Sequence, residues 1–275
     1  MPLRIVHSKQ NPRLKQLRRA LTQPLRERTA DGRVLAGIEG PNLLLEALRA
    51  GLRVECAFVA EGNERLLDGL NLDARTEVLM LPKALLDSAL TTEAPQPVAA
   101  LVEPPDWTWG HFLESHRKTP ALILVLSGLQ DPGNLGTILR SAEAFGAAGV
   151  ISLPGTVSAW NPKAVRASAG SVFRVPLLLV EVEDCFPRLR EAGVKIWTTT
   201  GHAAEAADRV NLTGPAALLI GNEGNGVPAE IAALADGAIT IPCSGPVESL
   251  NASVAASVLL YEAARQRAAA NGSAQ

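Results

Sequence analysis

Ile241-Pro242-Cys243-Ser244-Gly245-Pro246-Val247-Glu248-Ser249-Leu250-Asn251-Ala252-Ser253-Val254-Ala255-Ala256-Ser257-Val258-Leu259-Leu260-Tyr261-Glu262 is the stretch around which this chain is organised. A short apolar run, Ala238 to Ile241, enters a Pro/Gly loop, and the loop feeds a long helical pattern. Leu250, Val254 and Val258 recur at the spacing of one helix face, with small residues between them. Ser249 and Asn251 stand where loop becomes helix. Both types make good N-caps, because their side-chain oxygens accept the first free N–H groups. Taken alone, the stretch is a capped helix packed by its alanines, expected to span Ser249 to Ala269.

Upstream, apolar runs alternate with helical patterns. Candidate strands are Ala121–Ser127, Gly149–Leu153, Val175–Val180, Val194–Thr199, Ala216–Ile220 and Ala238–Ile241. Near-continuous apolar strands bounded by helices imply a parallel sheet buried on both faces. A second, smaller alternation runs from Arg33 to Val102, and Glu103-Pro104-Pro105-Asp106 breaks it. The expected organisation is a basic helical segment over 1–30, a small α/β domain over 31–104, a linker over 105–119 and a larger α/β domain over 120–270. In the first segment Leu14, Leu17 and Leu21 form a thin apolar stripe, and Pro24 is expected to end that helix. Trp107 and Trp109, in the linker, could stack on bases or pack the linker onto a domain.

Composition bounds the function. Of the 275 residues 47% are hydrophobic, yet no apolar run is long enough for a transmembrane helix, and the N-terminal stretch lacks the apolar core of a secretory leader. Three scattered cysteines, Cys56, Cys185 and Cys243, suggest a reduced, cytoplasmic chain without structural disulfides. His7, His111, His116 and His202 form no cluster, so no metal site is expected. The net charge of −2 hides an asymmetry: residues 1–33 hold nine Lys/Arg against Glu27 and Asp31. A basic segment on an acidic body suits contact with a phosphate backbone, and equally a solvated helix face.

Two further stretches bear on chemistry. One is Leu126-Ser127-Gly128-Leu129-Gln130-Asp131-Pro132-Gly133-Asn134-Leu135-Gly136-Thr137-Ile138-Leu139-Arg140-Ser141-Ala142-Glu143-Ala144-Phe145-Gly146. The other is Leu218-Leu219-Ile220-Gly221-Asn222-Glu223-Gly224-Asn225-Gly226-Val227-Pro228. Read locally, Asn134 is a candidate N-cap, Arg140 an arginine on a helix's wet face, and Glu223 a loop carboxylate among glycines. Gly201, Ile220, Gly221, Ile241 and Leu250 lie just beyond strand ends, where ligands bind open α/β sheets.

In order and spacing, these two stretches and the C-terminal one resemble the three motifs of the SpoU (TrmH) family of RNA ribose 2′-O-methyltransferases, across about residues 121–265. The resemblance implies a C-terminal SPOUT domain with a deep trefoil knot, which no periodicity argument shows. Ahead of it the family carries a small α/β RNA-binding domain, whose opening Leu35 to Ala47 resembles more loosely. It implies catalytic roles for Asn134, Arg140, Glu223, Ser249 and Asn251, and S-adenosylmethionine held by main-chain groups at Gly201, Ile220, Gly221, Ile241 and Leu250. It also implies ribosomal or transfer RNA as substrate and a homodimer through the C-terminal domain. Guanidinium stays protonated in proteins, so Arg140 suits holding the ribose and a phosphate, and stabilising negative charge on the 2′-oxygen, better than acting as a base. Two other classes compete. A non-catalytic RNA-binding or assembly protein would keep the fold but need not keep all five side chains. A dinucleotide-dependent oxidoreductase would need a Gly-x-Gly-x-x-Gly after the first strand, which is missing.

Overall fold

The computed structural model describes residues 3–114, 120–201, 203, 205–246 and 249–272. The chain forms two compact units, one of residues 1–106 with 158–173, the other of 107–157 with 174–275.

The first unit begins with β1 (Leu3–Ile5), α1 (Pro12–Thr22), β2 (Glu27–Arg28), β3 (Val34–Glu39), α2 (Pro41–Arg49), β4 (Val54–Ala60), β5 (Glu77–Leu81), α3 (Lys83–Asp87) and β6 (Val98–Val102). These strands make one sheet in the order β1-β5-β4-β6-β3-β2. It is parallel on one side, β1 with β5 and β5 with β4, and antiparallel from β4 through β6 and β3 to β2.

The residues set apart by their charge, 1–30, are integral to this unit. β1 extends its sheet, and α1 is capped by Asn11, whose side chain accepts from the N–H groups of Arg13 and Leu14. Leu14, Leu17, Ala20 and Leu21 of α1 join a core that includes Phe58, Leu79, Leu81 and Leu101. A fully buried Leu contributes roughly 1.5–3 kcal/mol, so the three leucines anchor the helix firmly. α1 crosses β3 at Gly37, where a Cβ would lie 2.8 Å from Leu21 Cγ. Much of the basic excess is met locally: Arg13 binds Glu55 and Glu77, Arg19 binds Glu27, and Arg33 binds Asp31 and Glu103.

Downstream come α4 (Trp109–Glu114), β7 (Leu122–Leu126), α5 (Pro132–Ala144), β8 (Gly149–Ser152), α6 (Pro162–Ala167), β9 (Leu177–Leu179), α7 (Val182–Glu191), β10 (Lys195–Thr199), β11 (Glu205–Ala206), β12 (Ala216–Ile220), α8 (Ala229–Ala232), β13 (Gly237–Thr240) and α9 (Ala252–Gly272). α6 belongs to the first unit and the rest to the second. The seven strands of the second unit pair in parallel throughout, in the order β11-β13-β10-β12-β7-β8-β9. β7 and β12 are buried along their whole length, as strands covered on both faces must be. The expected linker contributes to this core: Trp107 and Trp109 pack against it, and Phe112 is wholly buried over Gly149, where a Cβ would lie 2.6 Å from its ring. Both tryptophans are half-buried against this core. Residues 115–119 of that stretch lie outside the described residues.

α9 closes the unit. Ala252, Ser253, Ala256, Leu259, Leu260 and Ala263 face inward. Near its end Arg267 donates to the carbonyls of Pro120, Ala121, Leu212 and Gly214 at 2.7–3.2 Å. The guanidinium thus ties α9 to the chain entering β7 and β12, and burial pushes its pKa below the ordinary value. Among the described residues no helix is long and apolar enough to cross a membrane. Cys56 and Cys185 are buried, Cys243 is exposed, and all three are free thiols.

Candidate active site

Three loops follow the carboxyl ends of β10, β12 and β13 and enclose a cavity of about 500 Å³. Its walls are Thr199 to Gly201, Ile220 to Gly224, and Ile239 to Cys243, completed by Ser249, Leu250 and the start of α9. This is the edge at which open parallel sheets bind ligands, because strand ends and loop amides converge there. Gly201, Ile220, Gly221, Ile241 and Leu250 all line it. Gly221 has no room for a side chain: a Cβ would stand 2.1 Å from the carbonyl carbon of Gly226 and 2.2 Å from Val227 N. The loop is closed so tightly by paired N–H···O bonds between Asn222 and Gly226, each 2.9 Å. Asn222 Oδ1 accepts from Gly224 N, and its Nδ2 donates to Gly128 O at 2.9 Å, tying this loop to the one after β7.

Glu223 makes a second tie. Its Oε1 accepts from Asn134 Nδ2 at 2.9 Å and from Asp131 N at 3.3 Å, and its Oε2 accepts from Gln130 N at 3.4 Å. Desolvation raises the Glu223 carboxyl, but the Asn134 side chain and the backbone donors outweigh it, leaving the pKa below the ordinary carboxylate value. Because the carboxylate only accepts, Asn134 must turn its amide nitrogen to Glu223 and its oxygen away. That oxygen meets Ser253 Oγ at 3.1 Å, and the same hydroxyl stands 2.7 Å from Asn251 Oδ1. Asn251 Oδ1 also accepts from Ser253 N, so Asn251 caps α9. One polar chain, Glu223–Asn134–Ser253–Asn251, thus joins all three motif stretches. Ser141 and Ser257, 2.7 Å apart, continue the seam between α5 and α9.

Asn134 is not the cap of its helix. Asp131 is, accepting from Gly133 N at 2.8 Å, and Asn134 sits inside the first turn, buried. The Asp-Pro pair sets the boundary, since proline takes the first helical position without losing a hydrogen bond. Ser249 lines the cavity two residues ahead of the α9 cap. Val247 and Glu248 lie outside the described residues.

Arg140 stands apart from the other four side chains. It is exposed on α5, is not in the cavity wall, and makes no hydrogen bond or ion pair with a described residue. Six residues along a helix advance about 240° from Asn134, which turns Arg140 away from the buried seam. On the outer side of α9 a second apolar stripe is open: Val254 is 47% exposed, Val258 39% and Tyr261 55%. Tyr261 meets Phe145, at the end of α5, edge to face with ring centroids 5.9 Å apart.

Ser253 and Asn222 were not foreseen as site residues. Ser253 reads in the sequence as one of the small residues of a packed helix, and Asn222 as one member of its glycine-rich stretch. The available signal was Asn251-x-Ser253 at a helix start, two hydrogen-bonding side chains within one turn. Among the described residues no group of three or more His, Cys, Asp or Glu could hold a metal ion; His116 and His202 lie outside them.

Residues 121–261 match the model of the SpoU rRNA methylase family, and residues 11–100 match that of the MRM3-like substrate binding domain. A curated relative, the 23S rRNA (guanosine(2553)-2′-O)-methyltransferase RlmP of Bacillus subtilis, is 31% identical, with 93% of this chain and 97% of RlmP covered. The SpoU methyltransferase AviRb of Streptomyces viridochromogenes, solved in complex with the cofactor AdoMet, superposes with a TM-score of 0.80. It is 32% identical, covering 94% of this chain and 99% of AviRb. An AdoMet-bound rRNA methyltransferase of Sinorhizobium meliloti superposes with a TM-score of 0.78 at 28% identity, covering 96% and 98%. With its three motifs on one polar chain beside a strand-end cavity, this chain belongs to the SpoU family of S-adenosylmethionine-dependent RNA ribose 2′-O-methyltransferases.

Proposed function

We propose that the chain methylates a ribose 2′-hydroxyl of ribosomal RNA, working in the cytoplasm as a homodimer. The observation that carries the reading is the strand-end cavity, lined by all five residues assigned to the cofactor and flanked by the Glu223–Asn134–Ser253–Asn251 chain. At about 500 Å³ the cavity falls within the range of small-molecule sites, roughly 300–1,000 Å³. Gly221, where a Cβ would strike backbone, lets the main chain itself form the wall. Bound there, S-adenosylmethionine supplies the electrophilic methyl group.

The protein's own tasks follow from the chemistry. A ribose hydroxyl is a weak nucleophile and must be aligned with the methyl carbon; such alignment is worth ~7–11 kcal/mol in well-oriented cases. Glu223 holds the loops after β7 and β12 in register. Asn134 and Asn251 are fixed by it and by Ser253, and Ser249 faces the cavity from the α9 side. Arg140 binds the substrate phosphate and ribose, and stabilises negative charge growing on the 2′-oxygen. Its exposed position outside the cavity fits delivery to a partner's site rather than to its own. The stripe of Val254, Val258 and Tyr261 is the surface on which two copies pair; a two-fold axis would place both α5 helices beside it. The trefoil knot implied for residues 120–270 is part of the same proposal.

Mapping ribose methylation in 23S and 16S RNA and in tRNA from a deletion strain tests the substrate. A single ribosomal 2′-O-methyl lost on deletion and restored by the wild-type chain but not by Arg140→Ala is the expected result. A lost tRNA methylation with ribosomal RNA intact would overturn the ribosomal assignment.

A further inference from the structure

The first unit holds a second cavity, of about 510 Å³, between the end of β3, the start of α2, the loop 92–96 and α6. Glu39 forms part of its wall and is only 3% exposed. One carboxylate oxygen, Oε1, accepts from Gln96 N at 3.0 Å and from the Thr92 hydroxyl, fixing the loop. The other, Oε2, is shut off from solvent and has no hydrogen-bond partner. Only one other buried side-chain atom among the described residues, Trp197 Nε1, shares that condition. A carboxylate oxygen is a strong acceptor, and leaving it dry and unpaired opposes folding unless a donor comes to it.

The rest of the wall carries a second carboxylate, Glu46, paired with Arg49 at 2.9 Å, and beside it groups of the opposite polarity. α2 has no side-chain cap, Pro41 at its first position offers no N–H, and Asn42 and Leu43, whose amides have no partner within the helix, line the cavity. Arg166 of α6 also lines it, exposed and without an ion pair to a described residue. Glu39 therefore lacks a donor, while Arg166 and the start of α2 lack an acceptor among the described residues, the nearby Glu46 being engaged by Arg49. A nucleotide matches both: its base edge donates, and its phosphate accepts from guanidinium and from helix N-terminal amides. Gly40, with φ +110°, and Gly170, where a Cβ would press on Glu46 Cβ at 2.7 Å, shape the backbone here without side chains.

We propose that this cavity takes one extruded nucleotide of the substrate RNA, whose exocyclic amino group donates to Glu39 while its phosphate faces Arg166 and the start of α2. Carboxylates accept from the cytosine amino group in the same way when they read bases, and single-stranded RNA is recognised through splayed bases. The pocket would hold an unmodified nucleotide and so orient the RNA that carries the methylated one. It rests on RNA being the substrate of the family to which the chain belongs.

The test uses the full chain and four probes, CMP, AMP, GMP and UMP, titrated by calorimetry and by NMR, with S-adenosylmethionine titrated in parallel. UMP carries a carbonyl oxygen where CMP carries its amino group, so CMP should bind at least about tenfold more tightly. Glu39→Gln keeps the acceptor that Thr92 and Gln96 use but turns the free oxygen into a donor. It should bring CMP down to the level of UMP while S-adenosylmethionine binding stays unchanged. Arg166→Ala, an exposed substitution that spares the core, should weaken all four about fivefold. Equal binding of CMP and UMP to the wild type would overturn the proposal, as would undiminished CMP binding to Arg166→Ala, or a crystal soaked with CMP showing only a water on Glu39. Absence of S-adenosylmethionine binding would instead strike the methyltransferase assignment, so the two failures are distinct.

Discussion

The two faces of the α5–α9 pair differ in how complete they are. The inner face is closed. There Asn134, Ser253 and Asn251 satisfy one another and Glu223, and the loops they hold complete a cavity within one chain. The outer face is open, with Arg140 unpaired among the described residues and Val254, Val258 and Tyr261 exposed. On the proposed reading the difference separates binding from chemistry: the cavity assigned to the cofactor is completed within one chain, whereas Arg140, assigned to the substrate, lies outside it. Mutations on the two faces should therefore fail in different ways.

The largest effect should come from the open face. Arg140→Ala should lower kcat by roughly 10²–10³, the usual cost of removing a donor to developing negative charge. S-adenosylmethionine affinity, measured by calorimetry, should be unchanged. Arg140→Lys should also be poor, since a point charge does not reproduce the planar fork. Equal losses of kcat and of cofactor affinity would erase the distinction between the faces.

The closed face should fail at binding. In Gly221→Ala the new methyl meets backbone at 2.1 Å, so the loop must move. Overpacking costs about 1–3 kcal/mol, and cofactor affinity should fall about tenfold or more. An unchanged Kd would mean that this loop does not form the cofactor wall.

Pairing itself is tested by Val258→Asp, a charge in the middle of the open stripe. Light scattering should show a monomer that still binds S-adenosylmethionine but has lost most methyl transfer. A fully active monomer would sink the dimer. The smallest effect concerns pH. The Glu223 carboxyl is depressed in the folded protein, so its contribution is complete above the ordinary carboxylate pKa and fades as the pH falls through the depressed value. Wild type should therefore lose more thermal stability than Glu223→Gln between pH 6 and about pH 3, by calorimetry.

Much of the second unit was legible in sequence. Ala216–Ile220 is a strand with the bounds its apolar run gave, and the other five predicted strands shift by two residues or fewer at each end. Their signal is local, because strands buried on both faces are continuous in hydrophobicity. What was not legible depends on partners far along the chain. β11 is only two residues long and is held by its pairing with β13. Residues 158–173 sit by sequence in the larger domain but fold with the first unit. α1, which read as a thinly apolar basic helix, is a core element because Gly37 lets it close on β3.

The same feature changes how the basic segment can be probed. Deleting residues 1–30 would remove Val6, Leu14, Leu17, Ala20 and Leu21 from the core along with the charge. Reversing Lys9, Arg18 and Arg26, which are exposed and unpaired among the described residues, leaves the core alone. The site shows the same division. The five cavity residues follow strand ends and are visible as such, whereas the link through Ser253 joins residues 119 positions apart and exists only in the fold.

The most direct test of the division between faces is a heterodimer of one Arg140→Ala chain and one Gly221→Ala chain, isolated through two different tags. With S-adenosylmethionine held well below the Kd of the Gly221→Ala chain, each parent homodimer should be nearly inactive, the first for want of the cation and the second for want of the cofactor. If Arg140 serves the partner's cavity, the heterodimer contains one intact site of two and should regain about half of wild-type methyl transfer. Activity no higher than that of the parents would show that Arg140 serves its own chain, and would contradict the account.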